Sequence, residues 1–302
     1  MVLYSHSKLS TFEQCPFKFK LKYIDRIIPE IEKTIEAHLG SAVHATLEWI
    51  YIKAKEAETK KQIPSLDDTI VFYSEAWRRD YSPDIVIVSN ELKPKDYFNK
   101  GVEFLVNYYQ KHFPFDDGTI ELEKKIIIGL DSEGNYEIIG FIDRLAQNIH
   151  TGEFEIHDYK TANSLPRQED IDNDRQLALY AVAIKEIYGK DKEVTLNWHY
   201  LAHNKKITSK RTNHELEQLK KETLNLIKQI ESTEEFLPCK SPLCKWCEYI
   251  QMCPLWNTSE DKLKEKVQKQ EKKQEPNPEN SPQETNALYK DKYPTISKYI
   301  RD

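Results

Sequence analysis

Apolar residues recur at helical spacing through the first third of the chain and switch to alternation near residue 119. In "SKLSTFEQCPFKFKLKYI" (7–24) the apolar stripe is helical. Ser7 or Ser10 is placed to cap it, and the Cys15-Pro16 step implies a break between two short helices. "GSAVHATLEWIYIKAKEAE" (40–58) sets Val43, Leu47, Ile50 and Ala54 on one face and predicts a helix that starts at Gly40-Ser41. Two more helices are predicted over 66–80 and 96–112, while "SPDIVIVSNELKP" between them fits neither period. "TIELEKKIIIGL" (119–130) and "YEIIGFIDRLAQ" (136–147) alternate as strands around the turn "DSEGN", and "EFEIHDYKTA" completes a second hairpin. A helix over 170–188 ending at Gly189, a strand over 193–202 and a polar amphipathic helix over 213–231 follow. This order predicts an α/β or α+β core with a helical insertion at about 60–112. After Asn257 almost nothing apolar remains until "ALYKDKYPTISKYIRD". Residues 258–302 therefore read as a charged, disordered tail with a short aromatic end.

The second hairpin breaks its own pattern. Asp143, Asp158 and Lys160 fall in phase with Ile139, Phe141 and Leu145 on one strand and with Phe154 and Ile156 on the other. A four-residue loop "IHTG" sets Asp143 opposite Asp158 on one face, and Lys160 shares that face. Two carboxylates that close repel, and partial burial sharpens the repulsion unless a cation joins them. The residues alone allow two readings: a structural salt bridge to Lys160, or a site for a hard divalent ion such as Mg²⁺ or Mn²⁺. Gln176 and Tyr180, four apart, share one face of the next helix, and His44 sits within an apolar stretch of an earlier one.

Composition narrows the function classes. With 302 residues, 39% hydrophobic and 31% charged, the chain can bury a core and remain polar outside. A net charge of −6 gives no global basic signature. Glycine is scarce, at 8 residues, and neither GxGxxG nor GxxxxGK[ST] occurs, which argues against a Rossmann or P-loop site and against an ATP-driven motor in this chain. No apolar run approaches membrane-spanning length and the first residues lack a signal-peptide core, so an intracellular, cytoplasmic protein with no membrane partner is expected. Of five cysteines, Cys244, Cys247 and Cys253 are tightly spaced and Cys15 lies far upstream. In a reducing compartment such spacing favours a metal or cluster over disulfides, and thiolates select Zn²⁺ or iron–sulfur. Cys239 reads as a spare thiol able to substitute for Cys15.

Together "SHSKLSTFEQCPFKFKLKY" (5–23), "GSAVH" (40–44), "GFIDR" (140–144), "DYK" (158–160) and "QLALY" (176–180) resemble the RecB-like branch of the PD-(D/E)XK nuclease superfamily, where Cas4 and AddB-type nucleases belong. The matches run in family order across residues 5–257. The resemblance implies a restriction-endonuclease-like domain over 1–257, a mixed central sheet flanked by helices. It implies His44 and Asp143 as metal ligands and Asp158 as both ligand and the acid of the (D/E)XK motif. The carbonyl of Tyr159 would complete the shell, and Lys160 would position the attacking water. Gln176 and Tyr180 would contact DNA and support the site. Glu121 and Glu123 read as exposed strand carboxylates, a further acidic group being the alternative. Cys15, Cys244, Cys247 and Cys253 correspond to a [4Fe–4S] staple centred on 239–254, with structural Zn²⁺ as the alternative. Lys18, Lys20, Lys22 and Arg26, interleaved with Phe17, Phe19 and Tyr23, read either as a backbone-tracking surface or as a solvated helix. The implied activity is a metal-dependent DNase, an exonuclease on DNA ends or single strands in recombination, repair or phage-type processing. The alternative is a cluster-bearing DNA-binding subunit of a helicase–nuclease or CRISPR-adaptation complex, with any helicase a separate chain.

Overall fold

The chain opens with a short strand, β1 (Val2–Ser5), whose last residue caps α1 (His6–Gln14): the Ser5 hydroxyl accepts the Lys8 N–H at 3.1 Å. This computed structural model describes residues 2–29, 33–60, 63–89 and 91–256, so the predicted tail over 258–302 lies outside the described residues. The break expected at Cys15-Pro16 is present, with Pro16 in the first turn of α2 (Pro16–Phe19) and a π-helical turn after it (Lys20–Ile24). Three longer helices follow: α3 (Ile35–Lys60), α4 (Leu66–Arg79) and α5 (Pro94–His112). Strands β2 (Thr119–Gly129), β3 (Tyr136–Gln147) and β4 (Phe154–Lys160) come next, then α6 (Gln168–Asp172), α7 (Arg175–Tyr188), β5 (Val194–Tyr200), β6 (Lys205–Lys210) and α8 (Asn213–Ser232).

Several expectations need correction. α3 begins at Ile35 rather than at Gly40, because Ile35, His38 and Leu39 are already buried. The helix predicted over 170–188 is two helices, since Asp174 caps α7 by accepting the Leu177 N–H at 3.3 Å. The described residues between α4 and α5 form a parallel bridge from Val86 to Thr34 and pack Ile85, Ile87 and Leu92 against the helical core. β1 and β6 were not visible in the pattern: one has four residues, and the other buries only Ile207 and Ser209.

The six strands form one mixed sheet. β2 runs antiparallel along one edge of β3. The other edge is shared: β1 pairs parallel with Tyr136–Ile139, and β4 pairs antiparallel with Arg144–Gln147. β4 continues parallel to β5, and β5 antiparallel to β6. One core packs α1, α7 and α8 against the sheet through Leu9, Leu177, Ile184 and Ile227. The other packs α3, α4 and α5 on the opposite side through Leu47, Ile50, Tyr73 and Leu105. This two-sided packing buries β4 on both faces, its polar His157 and Asp158 included.

The phase of β3 reverses part-way. Ile138, Ile142 and Leu145 all belong to the α7 core, although Leu145 is odd-numbered. Arg144 points the other way, its guanidinium 4.4 Å above the Tyr51 ring of α3. The face expected to run Ile139, Phe141, Asp143, Leu145 is therefore split at Asp143. Glu123, next to Asp143 in the β2–β3 register, has a φ of 45°, a left-handed backbone that interrupts the pleat at the same level.

Candidate metal and phosphodiester site

The β3–β4 ladder ends at Arg144 and His157. Its register carries Asp143 to Asp158 at the next position, as the loop length predicts, but the strands no longer bond there. Instead the Tyr159 backbone N–H donates to Asp143 Oδ2 at 2.9 Å. A side chain thus replaces a main-chain acceptor where the sheet forks.

On the α3 side of the fork stands His44. Its Nε2 lies 2.7 Å from the Tyr159 carbonyl oxygen. A carbonyl only accepts, so Nε2 carries a proton and donates it. Nδ1 lies 3.4 Å from Asp143 Oδ2. Ligand atoms of His44, Glu123 and Asp143 fall within 4.8 Å of one another. Burial, and then the charge of Asp158, push the Asp143 carboxyl well above the usual carboxylate range. Partial desolvation, with Asp143 and Glu48 nearby, pushes Glu123 up to about 7. The two carboxylates repel each other when both are ionised, and a hard divalent ion that also takes an imidazole nitrogen relieves that repulsion, so the donor set fits Mg²⁺ or Mn²⁺.

The other prong holds Asp158, which is 5% exposed. Lys160 Nζ is 2.8 Å from its Oδ2, and Gln176 Nε2 donates to its Oδ1 at 3.3 Å. Gln176 Oε1 accepts from the same ammonium at 3.1 Å. Burial disfavours the Lys160 charge, but Asp158 and Asp143 outweigh it and hold the pKa above the usual lysine range. Asp158 is thus paired with Lys160, while Glu123, an exposed strand carboxylate that the sequence also allowed as a further acidic group, joins His44 and Asp143. Glu121 is engaged elsewhere, with Lys124 and Tyr188.

Tyr180 is 6% exposed and its hydroxyl meets Gln176, so it stands behind the Lys160 pocket. Its ring lies over Gly140, where a Cβ would come within 2.3 Å of Cε1. Only glycine allows α7 to sit this close to β3. The hydroxyl face of Tyr159 is held by Arg144, which is fully buried and donates to Tyr159 Oη, Thr119 Oγ1 and His157 Nδ1 at 2.9–3.1 Å. The Asp117 carboxylate lies 2.7 Å from its Nη1. Tyr159 is therefore pinned at both ends, its backbone by Asp143 and His44 and its ring by Arg144.

A family model described as the PD-(D/E)XK nuclease superfamily matches residues 4–254. The chain belongs to the PD-(D/E)XK nuclease superfamily. Members of this superfamily are phosphodiester-hydrolysing nucleases that use Mg²⁺ or Mn²⁺, and the mixed sheet flanked by helices is consistent with their restriction-endonuclease-like fold. Among curated proteins none matches the sequence. A solved structure described as "Crystal structure of SSO0001" is similar over 84% of this chain and 85% of its own, at 13% identity and a TM-score of 0.38.

A second constellation lies apart from the PD-(D/E)XK motif. Cys15, Cys239, Cys244, Cys247 and Cys253 all line one cavity of about 150 Å³, and none is in a disulfide. The Cys239 N–H donates to Cys15 Sγ at 3.4 Å and the Ser241 N–H to Cys244 Sγ at 3.3 Å. The Ser241 N–H holds the Cys244 thiol below its ordinary range. Lys18 and Lys22 both reach Glu248, at 2.8 and 3.3 Å, and Lys20 pairs with Asp25. Lys18 and Lys22 clamp the N-terminal helices to the cysteine segment, which counts against a free basic track. Among the described residues no helix is long and apolar enough to cross a membrane.

Proposed function

We propose that this superfamily member is a metal-dependent DNA nuclease, an exonuclease acting on DNA ends or single strands. The observation that carries the reading is the fork itself: a three-ligand group on one prong and an Asp158–Lys160–Gln176 set on the other, joined through Asp143 and Tyr159. A hard divalent ion bound by His44, Glu123 and Asp143 supplies Lewis acidity and lowers the pKa of water. The carbonyl of Tyr159, already accepting from His44, keeps a second lone pair. Asp143 and Glu123 release their protons when positive charge is near. Lys160 holds a fixed ammonium where charge develops on the phosphate, and Asp158 with Gln176 fixes its direction. No side chain is required as a nucleophile.

The cysteine cavity fits a thiolate-bound group: five thiols converge and two backbone N–H groups donate to sulfur, which stabilises thiolates. Cys15, Cys244, Cys247 and Cys253 are the proposed ligands of a [4Fe–4S] cluster, with Zn²⁺ as the other occupant this donor set accepts. Bound there, the group would cross-link the first helices to the last described segment. Such a chain fits the RecB-like, Cas4 and AddB-type branch, working in recombination, repair or phage-type processing beside a separate helicase or CRISPR-adaptation protein. The test is cleavage with Mn²⁺ of linear single-stranded oligonucleotides blocked at the 5′ or the 3′ end, against a circular single strand. Loss of a linear substrate with survival of the circle supports an exonuclease. Equal cleavage of the circle refutes it, and activity surviving both Asp158→Ala and Lys160→Ala refutes the site.

A further inference from the structure

Past Asp143, the α3 side of β2 and β3 runs out from under the helices. Phe141 is 51% exposed, Ile127 49% and Leu3 44%. They share one face, because their even-numbered neighbours Ile126, Ile128, Ile138 and Ile142 are buried in the α7 core. Lys125 stands directly across from Phe141, and Ile127 across from Ile139. Leu3 extends the row across Glu137. Beyond Lys125 and Phe141 the ladder passes through Lys124 and Ile142, and the next position on the Phe141 face holds Glu123 and Asp143, two of the three candidate ligands. A strand rise of about 3.3 Å per residue sets Phe141 roughly 7 Å from Asp143.

An uncovered aromatic beside an exposed lysine, one rung from a phosphodiester site, is the arrangement that holds unpaired bases. The ring offers a stacking surface that any base accepts, and the ammonium meets the backbone phosphate. Continuity with the cleavage site favours nucleic acid over a protein occupant. We propose that Phe141, supported by Ile127 and Lys125, is a stacking platform for an unpaired nucleobase of the strand held at the cleavage site. The platform rests on the nuclease reading and adds to it a preference for unpaired nucleic acid.

Binding of the full chain, in EDTA, to fluorescein-labelled oligo-dT and to an abasic deoxyribose-phosphate oligomer of equal length tests this by anisotropy. Stacking on one aromatic is worth about 1–3 kcal/mol, so wild type binds oligo-dT at least about 5-fold more tightly than the abasic strand. Phe141→Ala abolishes that difference, and Phe141→Trp preserves it. Equal affinity of wild type for both probes, no binding of oligo-dT, or a preference that survives in Phe141→Ala overturns the proposal. A wild-type dimer that Phe141→Ala converts to monomer, with DNA binding unchanged, assigns the face to a second copy and also overturns it. Base-dependent binding without cleavage in Mn²⁺ leaves the platform standing and defeats the nuclease reading instead.

Discussion

Asp143 accepts the Tyr159 backbone N–H at 2.9 Å, one position beyond the last bonded pair of β3 and β4. The same carboxylate therefore satisfies the sheet and faces the candidate ion. Asparagine keeps the first role and loses the second. In Asp143→Asn the amide oxygen accepts from Tyr159, and the repulsion with Asp158 disappears. Without metal at pH 8 its melting temperature is expected at or above that of wild type. Its cleavage rate in Mn²⁺ falls by about 10²-fold or more. Thermal melts and an oligonucleotide assay on the same preparation check both halves.

Acidity and stability are linked at this site. Glu123 moves from 4.5 up to about 7, and Asp143 also moves upward. The folded chain then binds these protons more tightly than the unfolded chain does, so stability falls as pH rises between the ordinary and the raised values. In EDTA the protein melts higher at pH 5 than at pH 8 on this account. Mn²⁺ raises the pH 8 melt more than the pH 5 one, and Glu123→Gln flattens the slope. A flat profile in wild type would contradict the upward shift of these carboxyls.

Removing Lys160 strands Asp158. Its carboxylate is buried and keeps only Gln176 as a side-chain partner. Fully buried pairs cost 3–5 kcal/mol when broken. A third of the Lys160 side chain meets solvent, which reduces the expected loss in Lys160→Ala to about 2 kcal/mol. Urea denaturation measures it, and cleavage is lost as well.

Gly140 has no room for a methyl group. A Cβ there meets the Tyr180 ring at 2.3 Å, and a buried ring in a packed core yields little. Gly140→Ala should cost about 1–3 kcal/mol, read as a lower thermal midpoint.

Arg144 is expected to matter more for stability than its neighbour Asp143. It is fully buried and bonded to Tyr159, Thr119, His157 and Asp117. Burial also keeps His157 and His199 neutral beside it. His157 Nδ1 accepts from Arg144, so His199 Nε2, 2.8 Å away, is the donor of that pair. Arg144→Met takes the one cation out of this buried network, leaving the Asp117 carboxylate without its charge partner, and should cost about 3–5 kcal/mol in urea denaturation.

Much of this was legible in the residues. The loop "IHTG" sets the hairpin register, and Asp143 does meet Asp158 in that register. Lys160 and Gln176 converge because strand alternation and helix periodicity each point a side chain into the same gap. What escaped was a break in periodicity. Alternation assumes a regular pleat, whereas the left-handed Glu123 and the reversal at Asp143 move Glu123 into the ligand group and leave Phe141 outside the core. Arg144 sits beside a carboxylate and gave no sign that it would be sealed from water. Lys18 and Lys22 read as part of a nucleic-acid track because their partner, Glu248, is more than two hundred positions away.

That separation bears on how the molecule is made. Phe17 donates its N–H to the Leu237 carbonyl, Lys18 reaches Glu248, and Tyr249 donates to the Ile27 carbonyl. A ribosome emits the early helices long before those acceptors exist, so they must wait, exposed and unfinished, until nearly the whole domain has emerged. Contacts of such sequence span slow assembly, and the opening segment is where a chaperone or a protease would find the nascent chain first.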